Sequence, residues 1–278
     1  MSEAILTINQ LKKSYDKKTD VLKGIDTKFY PGEFVVVVGP SGAGKSTFIR
    51  CINRMIDPSG GEVIFDGVHM EKITGRKLRR QMSDIGMIFQ HYNLVGRVNV
   101  IKNVLYGRLG KMPFWKSLLG LYTEKEKREA FWLLKKVGLE EQVYQRADAL
   151  SGGQMQRVGI CRAIVQQPRL LLADEPIASL DPKSADIVMD QLRDITAGHN
   201  LTCIVNLHQV DYAKKYATRI IGIKEGKIVF DGVPAALTDD IIADIYRGKE
   251  GQMKLAKQTQ EENQPIEFGK EGAATYVS

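Results

Sequence analysis

Residues Gly39, Pro40, Ser41, Gly42, Ala43, Gly44, Lys45, Ser46 and Thr47 follow directly on the apolar run from Phe34 to Val38. The spacing is G-x-x-x-x-G-K-[ST], set where a buried strand ends and a helix opens. That placement constrains the fold, because the chain has to pass from strand to helix through a glycine-rich turn. Glycines let the backbone wrap tightly, so that several N–H groups point inward at one anion. The helix N-terminus adds partial positive charge at the same spot. Lys45 is expected to reach the β- and γ-phosphates of a nucleotide, and Ser46 to place its hydroxyl on Mg2+. The stretch points to a bound nucleoside triphosphate.

At 278 residues the chain has room for one large α/β domain with an inserted subdomain. Its 43% apolar and 26% charged residues are those of an ordinary globular protein. No apolar run approaches the ~20 residues that a membrane-crossing helix needs. The first residues, Met-Ser-Glu-Ala-Ile-Leu, lack the basic region and apolar stretch of a secretory signal. Cys51, Cys161 and Cys203 are far apart, without metal-binding spacing, and read as reduced packing thiols of a cytosolic protein. The net charge of +7 is uneven. Residues 108–136 carry eight basic and three acidic side chains, and Lys72, Arg76, Lys77, Arg79 and Arg80 form a second basic knot beside Glu71. Such patches suit nucleic acid, anionic lipid headgroups or plain solvent, and charge does not choose among them.

Short apolar runs at 34–38, 85–89, 170–173 and 203–207 read as buried strands. Two hairpins are expected, one from 62–65 turning at Asp66-Gly67, the other joining 220–224 to 227–230 through Glu225-Gly226. Between about 91 and 159 the pattern turns helical. Thr123 with Glu126 forms a capping box, Ala130, Leu133, Leu134 and Val137 keep helical spacing, and Gly138 suits the exit. The stretch is expected as a helical insertion in a core made of 4–90 and 160–250. Residues 251–278, rich in Gln, Glu, Lys and Gly, read as a loosely held tail.

Two further stretches carry chemistry. Arg169-Leu-Leu-Leu-Ala-Asp174-Glu175 is an apolar strand ending in adjacent carboxylates. Asp174 suits the Mg2+ shell, and Glu175 can polarise an attacking water. Alternating side-chain direction along a strand keeps the two from competing for one position. In Leu150-Ser151-Gly152-Gly153-Gln154, Ser151 can cap the following helix while two glycines leave its first N–H groups open to an oxyanion.

With the phosphate loop upstream and Asp174-Glu175 downstream, the Ser-Gly-Gly-Gln segment resembles that of the ATP-binding-cassette ATPases. The resemblance spans about residues 4–235. It implies a P-loop NTPase (RecA-like) α/β core with an antiparallel β subdomain and an inserted α-helical subdomain. It also implies further roles: Tyr15 stacking on adenine, Gln90 linking Mg2+ to the helical subdomain, Ser179-Leu180-Asp181 crossing a dimer interface, and His208 contacting the γ-phosphate. In such a family two subunits stack head to tail, and each ATP lies between Lys45 of one and Ser151 of the other.

A lone cassette without membrane helices is similar to the ATPase of a bacterial importer. The segment from Gln90 to Gly110, the later Leu-Leu-Gly-Leu-Tyr, and Asn206-Leu-His-Gln-Val-Asp-Tyr-Ala look like those of phosphonate-importer ATPases. The resemblance implies two integral membrane permease subunits, a periplasmic or lipid-anchored phosphonate-binding protein, no nucleic-acid partner, and a place on the cytoplasmic face of the membrane. Tyr92, Asn93, Leu94 and Val95 are then candidates for contact with a permease. An importer of phosphite or phosphate, and a cassette ATPase in a non-transport complex, are the alternative readings.

Overall fold

The computed structural model describes residues 3–16 and 18–247. The chain opens with β1 (Leu6–Ser14), β2 (Asp20–Phe29), β3 (Phe34–Val38) and α1 (Lys45–Ile52). β4 (Gly60–Phe65), β5 (Val68–His69), α2 (Gly75–Met82) and β6 (Ile85–Ile88) follow. A helical stretch comes next: α3 (Val100–Leu105), α4 (Phe114–Leu119), α5 (Glu124–Lys136) and α6 (Gly152–Val165). The second half returns to alternation with β7 (Leu170–Asp174), α7 (Pro182–Gly198), β8 (Thr202–Asn206) and α8 (Val210–Tyr216). It closes with β9 (Arg219–Lys224), β10 (Lys227–Gly232) and α9 (Asp239–Tyr246).

These strands form two sheets, a four-stranded antiparallel one ordered β2-β1-β4-β5 and a six-stranded one ordered β10-β9-β3-β8-β7-β6. In the larger sheet β9, β3, β8, β7 and β6 run parallel, and only β10 is antiparallel. A parallel sheet covered on both faces has continuous apolar strands. Accordingly all five residues of β3 are buried: Phe34, Val36 and Val38 face one core, Val35 and Val37 the other. β7 divides the same way, with Leu171 and Ala173 against Leu170 and Leu172. One core holds α1 and the antiparallel sheet; the other holds α5, α6 and α7. Each such side chain contributes about 1.5–3 kcal/mol on burial.

Both expected hairpins are present, and their turns are left-handed at both residues: Asp66 (φ +52°) with Gly67 (+73°), Glu225 (+48°) with Gly226 (+79°). This is the twist that matches flanking strands. The capping box at Thr123 and Glu126 starts α5, whose Ala130, Leu133 and Leu134 are buried. Helix α6 runs without a break through residue 159, so the expected edge of the helical insertion falls inside one element. The expected tail, 251–278, lies outside the described residues.

Candidate functional site

Parallel strands bring their carboxyl ends to one edge, and ligands of open α/β sheets bind there. Along this edge, in spatial order β3-β8-β7-β6, stand the loop at 39–44, His208, the pair Asp174 and Glu175, and Gln90. Residues distant in the chain are therefore neighbours because of strand order alone.

The loop after β3 depends on two glycines. Gly39 has φ +150°, and a Cβ there would lie 2.0 Å from the Ile223 carbonyl oxygen of β9. Gly44 has φ +102° and packs under Val21 and Leu22 of β2, where a Cβ would meet atoms at 2.9 Å. The loop is also pinned by the Gly226 amide, which donates to the Ala43 carbonyl at 3.1 Å. Lys45, 4% exposed, turns its ammonium inward and donates to the carbonyls of Gly39 (2.8 Å) and Pro40 (3.0 Å). Tyr15 stands exposed beside this loop with its hydroxyl 3.2 Å from Thr47 Oγ1. Ser41 and Gly42 form the open side of the turn: a Cβ on Gly42 would meet nothing within 4 Å.

Behind the loop is a small buried polar network. Asp174 is 1% exposed, and its Oδ2 accepts from Arg50 Nε (3.1 Å) and pairs with Nη2 (3.0 Å). Its Oδ1 accepts from Asn206 Nδ2 at 2.9 Å, and the same nitrogen donates to Ser46 Oγ at 3.2 Å. Asn206 Oδ1 is buried without a hydrogen-bond partner. Ser46 and Asp174 offer hard oxygen donors with one carboxylate, a set that suits Mg2+. The orphaned amide oxygen beside them marks a polar site with unused capacity. Asn206 had no role at the level of sequence, where it stood only inside a resembling stretch. The signal was available: a lone amide in the apolar run Cys203-Ile204-Val205 before Leu207, two residues ahead of His208.

The second pair is Glu175 and His208, with Glu175 Oε1 2.7 Å from His208 Nε2. Glu175 has φ +52°, a left-handed conformation unusual for a side-chain-bearing residue. Its amide donates to the Asn206 carbonyl at 3.2 Å. From α9, the Tyr246 hydroxyl donates to the His208 carbonyl at 3.1 Å, and burial pushes the Tyr246 phenol up to about 12. Gln90 lies half-buried in the turn after β6, which ends at Ile88 rather than 89.

Ser151 to Gln154 belong to a separate group. Ser151 Oγ accepts from the Gln154 amide (3.3 Å) and Gln154 Oε1 from the Ser151 amide (2.9 Å), a reciprocal cap on α6. A Cβ on Gly152 would meet Tyr92 and Leu180, and one on Gly153 would meet Ser184, none of them from the loop at 39–47. Arg162 of α6 donates to the Tyr92 and Asn93 carbonyls, holding the segment that follows Gln90. One chain thus presents two helix N-termini, those of α1 and α6, belonging to helices packed in different cores.

The loop at 39–47, the strand-end carboxylates and the doubly wound sheet define a P-loop nucleotide-binding cassette. The family described as ABC transporter matches residues 22–178, more than half of the chain. The phosphonates import ATP-binding protein PhnC of Treponema denticola is 51% identical over 238 residues, covering 86% of this chain and 93% of that one. A second, PhnC 2 of Oceanobacillus iheyensis, is 53% identical over 242 residues, covering 87% and 95%. Among solved structures, the ATP-binding cassette MJ0796 in a dimeric post-hydrolysis state with ADP and Pi is 30% identical. It has a TM-score of 0.71 and covers 82% of this chain and 98% of that one. The chain belongs to the ABC transporter family, as an ATP-binding, ATP-hydrolysing cassette. Among the described residues no helix is long and apolar enough to cross a membrane.

Proposed function

We propose that this chain energises the import of phosphonates, as a homodimer docked on two integral membrane permease subunits at the cytoplasmic face of the membrane. A periplasmic or lipid-anchored binding protein delivers the phosphonate. Relatives named as phosphonate import ATP-binding proteins, alike over nearly their whole length, support the cargo. The observation that carries the ATPase reading is the strand-end array in which Glu175 and His208 meet at 2.7 Å beside Lys45, Ser46 and Asp174.

In this reading the backbone of 39–44 and Lys45 hold the β- and γ-phosphates, while Tyr15 and Thr47 flank the nucleotide. Ser46, Asp174 and Gln90 hold Mg2+, which when bound supplies charge neutralisation on the phosphate oxygens. Glu175 takes a proton from the attacking water. His208, already hydrogen-bonded to that carboxylate, orients it and contacts the γ-phosphate. The N-terminus of α6, with Ser151, Gly152, Gly153 and Gln154, closes on the γ-phosphate from the second subunit. Residues 4–250 act as one ATPase domain with the helical subdomain as the moving part.

The test is uptake of labelled methylphosphonate in cells carrying the wild-type or Glu175→Gln chain, with labelled phosphate and phosphite in parallel. Loss of phosphonate uptake alone is the expected result. Loss of phosphate or phosphite uptake instead would keep an importer and change its cargo; unchanged uptake of all three, in cells without a redundant transporter, would end the transport reading.

A further inference from the structure

We infer that Asn206 is a positioning residue of the metal site: its side-chain amide locks Ser46 and Asp174 together in the geometry that receives Mg2+. The inference deepens the nucleotide-site reading above and rests on it.

Register puts the amide there. Asn206 pairs with Asp174 of β7 on one side and with Val37 of β3 on the other, at the point where β3 leads into the phosphate loop. Asn206 is fully buried, with 0% exposure. Its orientation is fixed by chemistry, because an ionised carboxylate only accepts, so the NH2 group has to face Asp174. From that position Nδ2 spans 2.9 Å to Asp174 Oδ1 and 3.2 Å to Ser46 Oγ.

The consequences follow from counting lone pairs. With Arg50 on Oδ2 and Asn206 on Oδ1, both oxygens of Asp174 are held and the carboxylate cannot swing. Ser46 Oγ receives one hydrogen bond and keeps a second lone pair for a cation. Without the amide, Asp174 has one anchor left, the half-exposed Arg50, and is free to rotate away from Ser46. A purely structural role is a poor account of Asn206. An apolar side chain would fill this buried position without leaving Oδ1 unsatisfied. Outer partners that orient metal ligands typically change metal affinity about 10–100-fold.

The experiment is an equilibrium titration with a fluorescent ATP analogue, in EDTA and in excess Mg2+, on the wild-type, Asn206→Leu and Asn206→Val chains. Leu keeps the volume; Val, smaller and suited to a strand, serves if Leu does not fold. The expected result is unchanged affinity in EDTA and a Mg2+-dependent gain reduced about tenfold or abolished in both variants. An equal Mg2+-dependent gain in wild type and variant overturns the inference, as does an affinity that falls alike with and without Mg2+. A wild-type chain whose affinity ignores Mg2+ removes the metal reading itself, a failure visible before any variant is made.

Discussion

Glu175 is held in left-handed backbone space by the hydrogen bond its amide donates to the Asn206 carbonyl and by its side-chain hydrogen bond with His208. Such a conformation costs a non-glycine residue about 1–3 kcal/mol and persists only where surroundings enforce it. Here the surroundings aim the carboxylate along the same sheet edge as the phosphate loop. Glu175→Gln keeps the shape and removes the base, so steady-state hydrolysis should fall about 10²–10⁴-fold with ATP binding retained. Hydrolysis at the wild-type rate would take Glu175 out of that role. At Gly39 the constraint is steric. Gly39→Ala drives a Cβ to 2.0 Å from the Ile223 carbonyl, and the loop has to leave β9. ATP affinity should drop at least tenfold, with a lowered melting temperature; a variant that binds normally would refute the close approach. The three thiols make the opposite case. Cys51, Cys161 and Cys203 are all buried, and burial pushes Cys161 up to about 12 and Cys51 to about 11. A raised pKa keeps the thiol neutral well above pH 8, so none should react with a thiol reagent at pH 8 until the chain unfolds.

At the level of elements, legibility tracked how much of the pattern was local. Strands β3, β6, β7 and β8 were plain, each an apolar run that ends in a motif. So were α5, whose capping box is written in four consecutive residues, and the start of α6, where Ser151 was expected to cap. β1 was not, although β2 and β4 both pair with it. Its apolar residues Leu6 and Ile8 alternate, and then Gln10 at φ +46° inserts a bulge that moves the next one to Leu11. The spacing 6, 8, 11 fits neither period, since the extra residue makes sense only against a partner strand. The same holds for Asn206, whose meaning lies in residues 32 and 160 positions away. Arg219, the first residue of β9, is a tertiary feature that lacks even the local sign Asn206 had. It reaches Asp231 of β10, Glu33, and both Thr27 and Lys28 of β2, tying the two sheets together. Arg219→Ala removes those bonds at a part-exposed site and should cost about 1–3 kcal/mol in chemical denaturation. Arg219→Lys should recover little, because one ammonium cannot reproduce the fork. Full stability in the Ala variant would show that the sheets hold together without it.

For the whole molecule, Lys45 begins α1, which packs in one core, and Ser151 caps α6, which packs in the other. In the proposed homodimer a nucleotide held by both draws on two chains, and self-complementary pairing closes as a twofold dimer with two equal sites. The geometry predicts complementation between dead variants. Lys45→Ala disables the phosphate loop, and Ser151→Arg places a bulky cation where the second subunit's helix end should meet the γ-phosphate. Each variant alone has no intact site and should be nearly inactive. In a mixed dimer both lesions fall in one site, and the other combines an unaltered Lys45 with an unaltered Ser151. Random pairing makes half of the dimers mixed, so an equimolar mixture should recover about one quarter of wild-type hydrolysis if sites act independently. If mixed dimers form and show no recovery, either the site is complete within one chain or both sites have to fire together. Where recovery is seen, adding Glu175→Gln to the Ser151→Arg chain tests which chain supplies the base. The intact site of the mixed dimer draws Lys45 and Glu175 from one chain, the Ser151→Arg chain, and Ser151 from the other. That addition should then abolish the recovered quarter, whereas the same change in the Lys45→Ala chain should leave it.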